Sequence, residues 1–146
     1  VVVSAAIAVM ALIALPSMLR ARARADVAAA REAFAATHSL ARQVASQYGR
    51  VCKLHLDPAG NRFWVTVDTS SAGGGSALDT VQPVVAVGER FGGVRIEAAP
   101  RTFCFDHRGL GTLRGDCGLP NATIVFRRGS VADTVTISRL GRVMRR

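Results

Sequence analysis

Residues Val1 to Leu19 (VVVSAAIAVMALIALPSML) carry no charge, and no glycine or proline interrupts the chain from Ser17 to Tyr48. An uncharged helix of that first length spans ~28 Å, close to the thickness of a bilayer core. A secretory signal would carry a basic region and an initiating Met, and neither precedes this run. A buried core helix, a plain membrane anchor and the inner half of a longer membrane helix remain as readings. The abrupt start in a Val run favours the last. Pro16 stands near the expected bilayer exit, just ahead of Arg20, Arg22 and Arg24. Proline removes a backbone donor and crowds the preceding turn, so a kink is expected there.

The helix is expected to continue. Val27, Ala30, Phe34, Thr37, Ala41, Val44 and Tyr48 recur at alternating spacings of three and four, one stripe of an amphipathic helix. Arg24, Arg31, His38 and Arg42 fall off this stripe. Gly49 is a natural stop. The reading is one helix over 1–48, membrane-inserted or filament-buried over 1–19 and amphipathic over 20–49, with Val27, Phe34, Val44 and Tyr48 packed on the rest of the chain.

From Gly49 the period changes to two. Val51–Asp57 and Arg62–Asp68 flank Pro58-Ala59-Gly60-Asn61 as a hairpin. Thr69–Thr80 reads as a flexible Gly/Ser loop. Val84–Val87, Val94–Ala98 and Thr102–Phe105 are short strands, and Asp106–Asn121 is a Gly-rich loop. Ala122–Arg127 and Thr134–Leu140 pair across Arg128-Gly129-Ser130, and the residues after Leu140 lie beyond the last strand. One helix followed by antiparallel strands over 50–146 gives an α+β fold, with the sheet against the helix stripe.

The net charge is +9, and Lys53 is the lone lysine among nineteen basic residues. Such a surface attracts phosphate, acidic lipid or acidic protein. Arg127, Arg128, Arg139, Arg142, Arg145 and Arg146 crowd the last twenty residues against one acid, Asp133. A solvated tail, docking onto acidic neighbours, and nucleic-acid binding through phosphates all fit this cluster. It contains no aromatic residue to stack a base.

Catalytic signals are poor. His38, His55 and His107 belong to different segments, Ser76 lacks a nucleophile elbow, and no Lys-Ser/Thr follows Gly73-Gly74-Gly75. No cofactor is implied. Cys104, His107 and Cys117 fit a Cys104–Cys117 disulfide, a reduced pair, or a metal site lacking a fourth ligand; the disulfide is the expectation. Cys52, on a strand, reads as a buried apolar residue.

Several segments resemble the GspH/FimT family of minor pseudopilins and type IV minor pilins. Ile13-Ala14-Leu15-Pro16-Ser17 is similar to the end of that family's N-terminal apolar stretch. Phe105-Asp106-His107-Arg108-Gly109 resembles its F-D-x-x-G turn, and Ser138-Arg139-Leu140-Gly141-Arg142-Val143 its terminal strand and Gly-Arg ending. The resemblance implies a pilin-like fold: a long N-terminal helix on an antiparallel β domain. It also implies an inner-membrane, single-pass subunit whose β domain lies in the periplasm or on an extracellular filament. Its partners would be other pilins or pseudopilins, the inner membrane, and the prepilin peptidase. About six mature residues and a leader, with the peptidase site, are then expected upstream of Val1. Arg20–Arg24 would be cytoplasmic by the positive-inside tendency, whereas the resemblance puts the β domain outside. FimT-like members bind DNA through the Gly-Arg region, which extends the resemblance to DNA as a partner. Where relatives end Gly-Arg-x-Arg, this chain reads Gly141-Arg142-Val143-Met144-Arg145-Arg146. The functions implied are a structural subunit of a type II secretion pseudopilus or a minor pilin in pilus assembly or DNA uptake. A single-pass anchored binding domain is the reading outside that class.

Overall fold

A computed structural model of the chain describes the backbone of residues 2–70, 77–113, 115–118 and 120–145, and side chains from residue 16 to residue 144 within those ranges. Helix α1 runs from Val2 to Tyr48 with Pro16 inside it. It ends as the sequence requires. Gly49 takes φ 62°, and the Arg50 N–H reaches back to the Ala45 carbonyl at 3.2 Å. This closes the last turn with a left-handed residue that glycine adopts without steric cost.

Beyond α1, the strands form two antiparallel sheets. The first contains β1 (Cys52–Asp57), β2 (Arg62–Asp68), β3 (Leu78–Ala86), β5 (Arg101–Phe105) and β6 (Gly111–Thr112), ordered β3-β2-β1-β5-β6. The second contains β4 (Arg95–Glu97), β7 (Ala122–Arg128), β8 (Val131–Ile137) and β9 (Val143–Arg145), ordered β4-β7-β8-β9. A short helix α2 (Val87–Arg90) leads from the first sheet toward the second.

One apolar core serves both sheets. Val27, Ala30, Phe34, Ala41 and Val44 of α1 are buried with Leu54, Phe63 and Phe103 of the first sheet and Ile124, Phe126 and Val135 of the second. Thr37, also on the stripe, is buried and accepts a hydrogen bond from Gln82 of β3 at 3.0 Å. Asn61, at the tip of the β1–β2 hairpin, fastens the two sheets together. Its side chain accepts from Ile96 N–H at 2.9 Å and donates to the Val94 carbonyl at 2.8 Å.

Several boundaries differ from the sequence reading. Leu78 to Thr80 join β3 because pairing with β2 satisfies backbone groups that alternation alone does not mark. Val87 starts α2, and Gly111–Thr112 add a two-residue strand inside the expected loop. β8 ends at Ile137. After a turn, β9 pairs back onto it, so Arg145 lies in a strand rather than beyond the last one. Tyr48 is 67 % exposed and does not pack on the sheets: it points along the stripe but stands past Ala45, the last buried contact of the helix. Conversely His38, assigned off the stripe, is buried. At ~100° per residue it comes within ~20° of the direction of Val27, so helical drift carries it onto the core face.

Pro16, Met18 and Leu19 are exposed in the isolated chain. Among the described residues no helix is long and apolar enough to cross a membrane. Most of the Val1–Leu19 run, the expected membrane segment, lies where side chains are outside the described residues.

Candidate functional site

The flank of α1 that faces β8 and β9 carries Ala35, His38, Ser39 and Arg42, and two turns of the β domain close over it. The first is the Phe105–Gly109 motif. Asp106 Oδ1 accepts the backbone N–H groups of Arg108 and Leu110 at 2.9 and 3.0 Å. The Gly109 N–H donates to the Asp106 carbonyl at 2.8 Å. Gly109 itself has φ 70°, and a Cβ there would sit 3.2 Å from the Arg42 carbonyl. The positive φ favours glycine here, and the approach of the helix leaves a side chain little room. The Gly109 carbonyl accepts Arg42 Nε at 2.8 Å, which pins the turn to α1.

The second turn, Ser138 to Arg142, connects β8 to β9. The Ser138 hydroxyl accepts the Arg142 N–H at 3.1 Å, and the Gly141 N–H donates to the Ser138 carbonyl at 2.9 Å. Gly141 has φ 71° and rests against the Phe105 ring. The two motifs quoted from the sequence are therefore in contact, and both border α1.

Between α1 and β9 lies a groove of about 450 Å³ lined by Ala35, His38, Ser39, Arg42, Arg142 and Val143. It runs on past Arg42 toward Arg108 and Gly109. His38 is buried, its ring edge-on to Phe105 with centroids 5.0 Å apart. Its Nε2 has no hydrogen-bond partner among the described residues. Burial, helped by the charge of Arg42, lowers its pKa to about 4, so the ring is neutral at ordinary pH.

The terminal arginines do not act as one patch. Arg127 is bonded to Glu97 at 2.7 Å in an exposed pair, and Arg128 to Asp26 of α1 in a part-buried one. The one acid in the C-terminal cluster, Asp133, pairs instead with Arg31 of α1 at 2.8 Å. Arg139 and Arg142 are exposed on the β8–β9 turn. The side chains of Arg145 and Arg146 lie outside the described residues.

Cys104 and Cys117 are joined in a disulfide with Cα atoms 5.5 Å apart. Neither sulfur is then a thiolate, so the alternative site with His107 lacks its two softest ligands. Asp116, beside the bridge, bonds Lys53 Nζ at 2.7 Å, and that bond holds its carboxyl below the ordinary range. Cys52 is buried and its thiol is pushed up to about 12 by desolvation. On the outer face of the first sheet His55 stacks on Trp64, centroids 4.9 Å apart, with Nε2 on the Thr66 hydroxyl at 2.9 Å. Burial lowers the His55 pKa. This ring is held between the hydroxyls of Thr66 and Thr102.

Residues 30–141 match the family described as Type II transport protein GspH. The chain belongs to the GspH family. Its members are structural subunits of pilin type, and the chain is accordingly a minor pseudopilin or pilin and not an enzyme. The fold is similar to the crystal structure of the type IV minor pilin FimU from Pseudomonas aeruginosa, with a TM-score of 0.60 at 16% identity, covering 84% of this chain and 90% of that one. No curated protein matches the sequence significantly. In this GspH-family chain the functional surface is therefore one that meets other subunits of a filament. Sequence reasoning identified the Phe105–Gly109 turn, took Ser138–Val143 for a terminal strand where the structure has a turn, and missed His38 and Arg42 as groove residues. Their only signal was their position on the flank of the helix stripe.

Proposed function

We propose that the chain is a minor pseudopilin of a type II secretion pseudopilus. The GspH match over residues 30–141 carries this reading. In it, the apolar start of α1 holds the subunit in the inner membrane, with the β domain in the periplasm. Extraction into the filament then exchanges lipid for neighbouring helices. Ser4, Ala5, Ala8 and Ala11 are small enough to permit close helix approach. The exposed Met18 and Leu19 extend the same contact surface. Processing by a prepilin peptidase belongs to this reading.

A second reading, a minor pilin of a type IV pilus, is favoured by the FimU-like fold. Deleting the gene in its host and restoring it on a plasmid separates the two. A pseudopilin deletion stops release of a secreted enzyme into the medium and leaves sheared surface pili unchanged. A pilin deletion does the reverse. Loss of neither, with the protein present in the membrane fraction, would remove both and leave an anchored binding domain.

A further inference from the structure

The arginines of this chain differ in whether a carboxylate meets them. Arg31, Arg62, Arg127 and Arg128 each meet a carboxylate within the fold. Arg42, Arg108 and Arg142, which border the groove beside α1, meet none among the described residues, and no acid lines the groove or its extension. Arg42 has its Nε committed to the Gly109 carbonyl. That bond fixes the guanidinium plane and leaves its terminal nitrogens to donate elsewhere. Arg142 is exposed across the groove. At the floor His38 is buried with Nε2 unpartnered. A buried ring nitrogen without a hydrogen bond is costly, and two guanidinium groups without a carboxylate, beside a ring nitrogen that donates in its Nε2–H tautomer, form half of a recognition site.

We propose that the groove between α1 and β9 receives the carboxylate of an aspartate or glutamate side chain from a neighbouring subunit of the filament. The source of the ligand rests on the filament reading above; the carboxylate chemistry does not. A planar carboxylate suits the fork of a guanidinium and accepts from two sides at once. A side chain on a slender stem reaches a donor at the floor, whereas the phosphates of a duplex are displayed along a broad convex backbone. Entry of a carboxylate would also give His38 an anionic neighbour, opposing the effect of Arg42, so its pKa would rise.

The test is a titration of the full 146-residue chain, isotope-labelled in detergent micelles, with a blocked Gly-Gly-Glu-Gly-Gly peptide. The matching Gln peptide, inorganic phosphate and a short DNA duplex form parallel arms. Saturable shifts at the His38 ring and at Arg42 Nε are expected with the Glu peptide and not with the Gln peptide. Arg142→Gln should weaken binding about tenfold, the loss of one charge-assisted hydrogen bond. Arg139→Gln, outside the groove, should leave it unchanged, and unfolding midpoints report whether each variant folds. The assignment is overturned if the Gln peptide binds equally, if Arg142→Gln has no effect, or if phosphate or duplex moves the same signals at lower concentration. Because the titration needs no filament, its failure alongside restored secretion would sink the groove and leave the filament role standing.

Discussion

Phe34 of α1 meets Phe63 of β2 edge-on, ring centroids 5.4 Å apart, while lying 5.9 Å from Phe126 of β7. One helical residue thus touches both sheets. It is fully buried, so truncation removes contacts from each sheet at once. Phe34→Ala is expected to lower stability by ~3–5 kcal/mol. In urea unfolding the midpoint should fall, with the loss seen in both sheets. A variant with wild-type stability would remove Phe34 from its place between the sheets.

Arg31 and Asp133 tie α1 to β8, and Arg31 also bonds Glu32 at 2.9 Å. Both members of the long-range pair keep about a quarter of their side-chain surface, 22% and 25%, so solvent screens part of the attraction. Asp133→Asn should cost about 1–2 kcal/mol, because it leaves a half-buried guanidinium short of its anion. High salt should narrow the difference between variant and parent. A difference that grows with salt would contradict the ion-pair account.

The pKa of His38 is lowered from 6.5 to about 4 by burial first and by Arg42 second. Arg42 and Arg142 are the charged groups that line the groove beside it. A group depressed in the folded state binds its proton more readily when unfolded. Its contribution is therefore complete above pH 6.5 and is lost as pH falls toward 4, reaching about 3 kcal/mol. His38→Leu should flatten the stability profile between those values. An equally steep acid limb in the variant would assign the effect elsewhere.

The Cys104–Cys117 bridge spans 13 residues of sequence. On the chain-entropy estimate a loop of that length stabilises by ~3 kcal/mol. Reduction, or Cys104→Ser with Cys117→Ser, should lower the unfolding midpoint accordingly. Cys52 is buried with a thiol pushed up to about 12. The native chain should therefore show no thiol reacting with a disulfide reagent, and one after unfolding without reductant. A fast native reaction would contradict either the bridge or the burial.

Periodicity by itself determined the helix, its stop at Gly49, the β1–β2 hairpin and the α+β class. Those features depend on local sterics and on a repeat that any neighbouring surface must respect. The same stripe identified Val27, Phe34 and Val44 as core residues, all of which are buried. It could not say where the sheet ends along the helix, and so Tyr48 was assigned inside although it stands past the last contact. Composition marked an arginine-rich end, but charge counts carry no partners. Only the tertiary structure brought Asp26 to Arg128 and Glu97 to Arg127, and brought Arg142 across from His38 and Arg42. Residues far apart in sequence meet through strand order and helix placement. A local pattern can set the direction of a side chain, but which group stands opposite it is fixed when α1 and the two sheets close on one core.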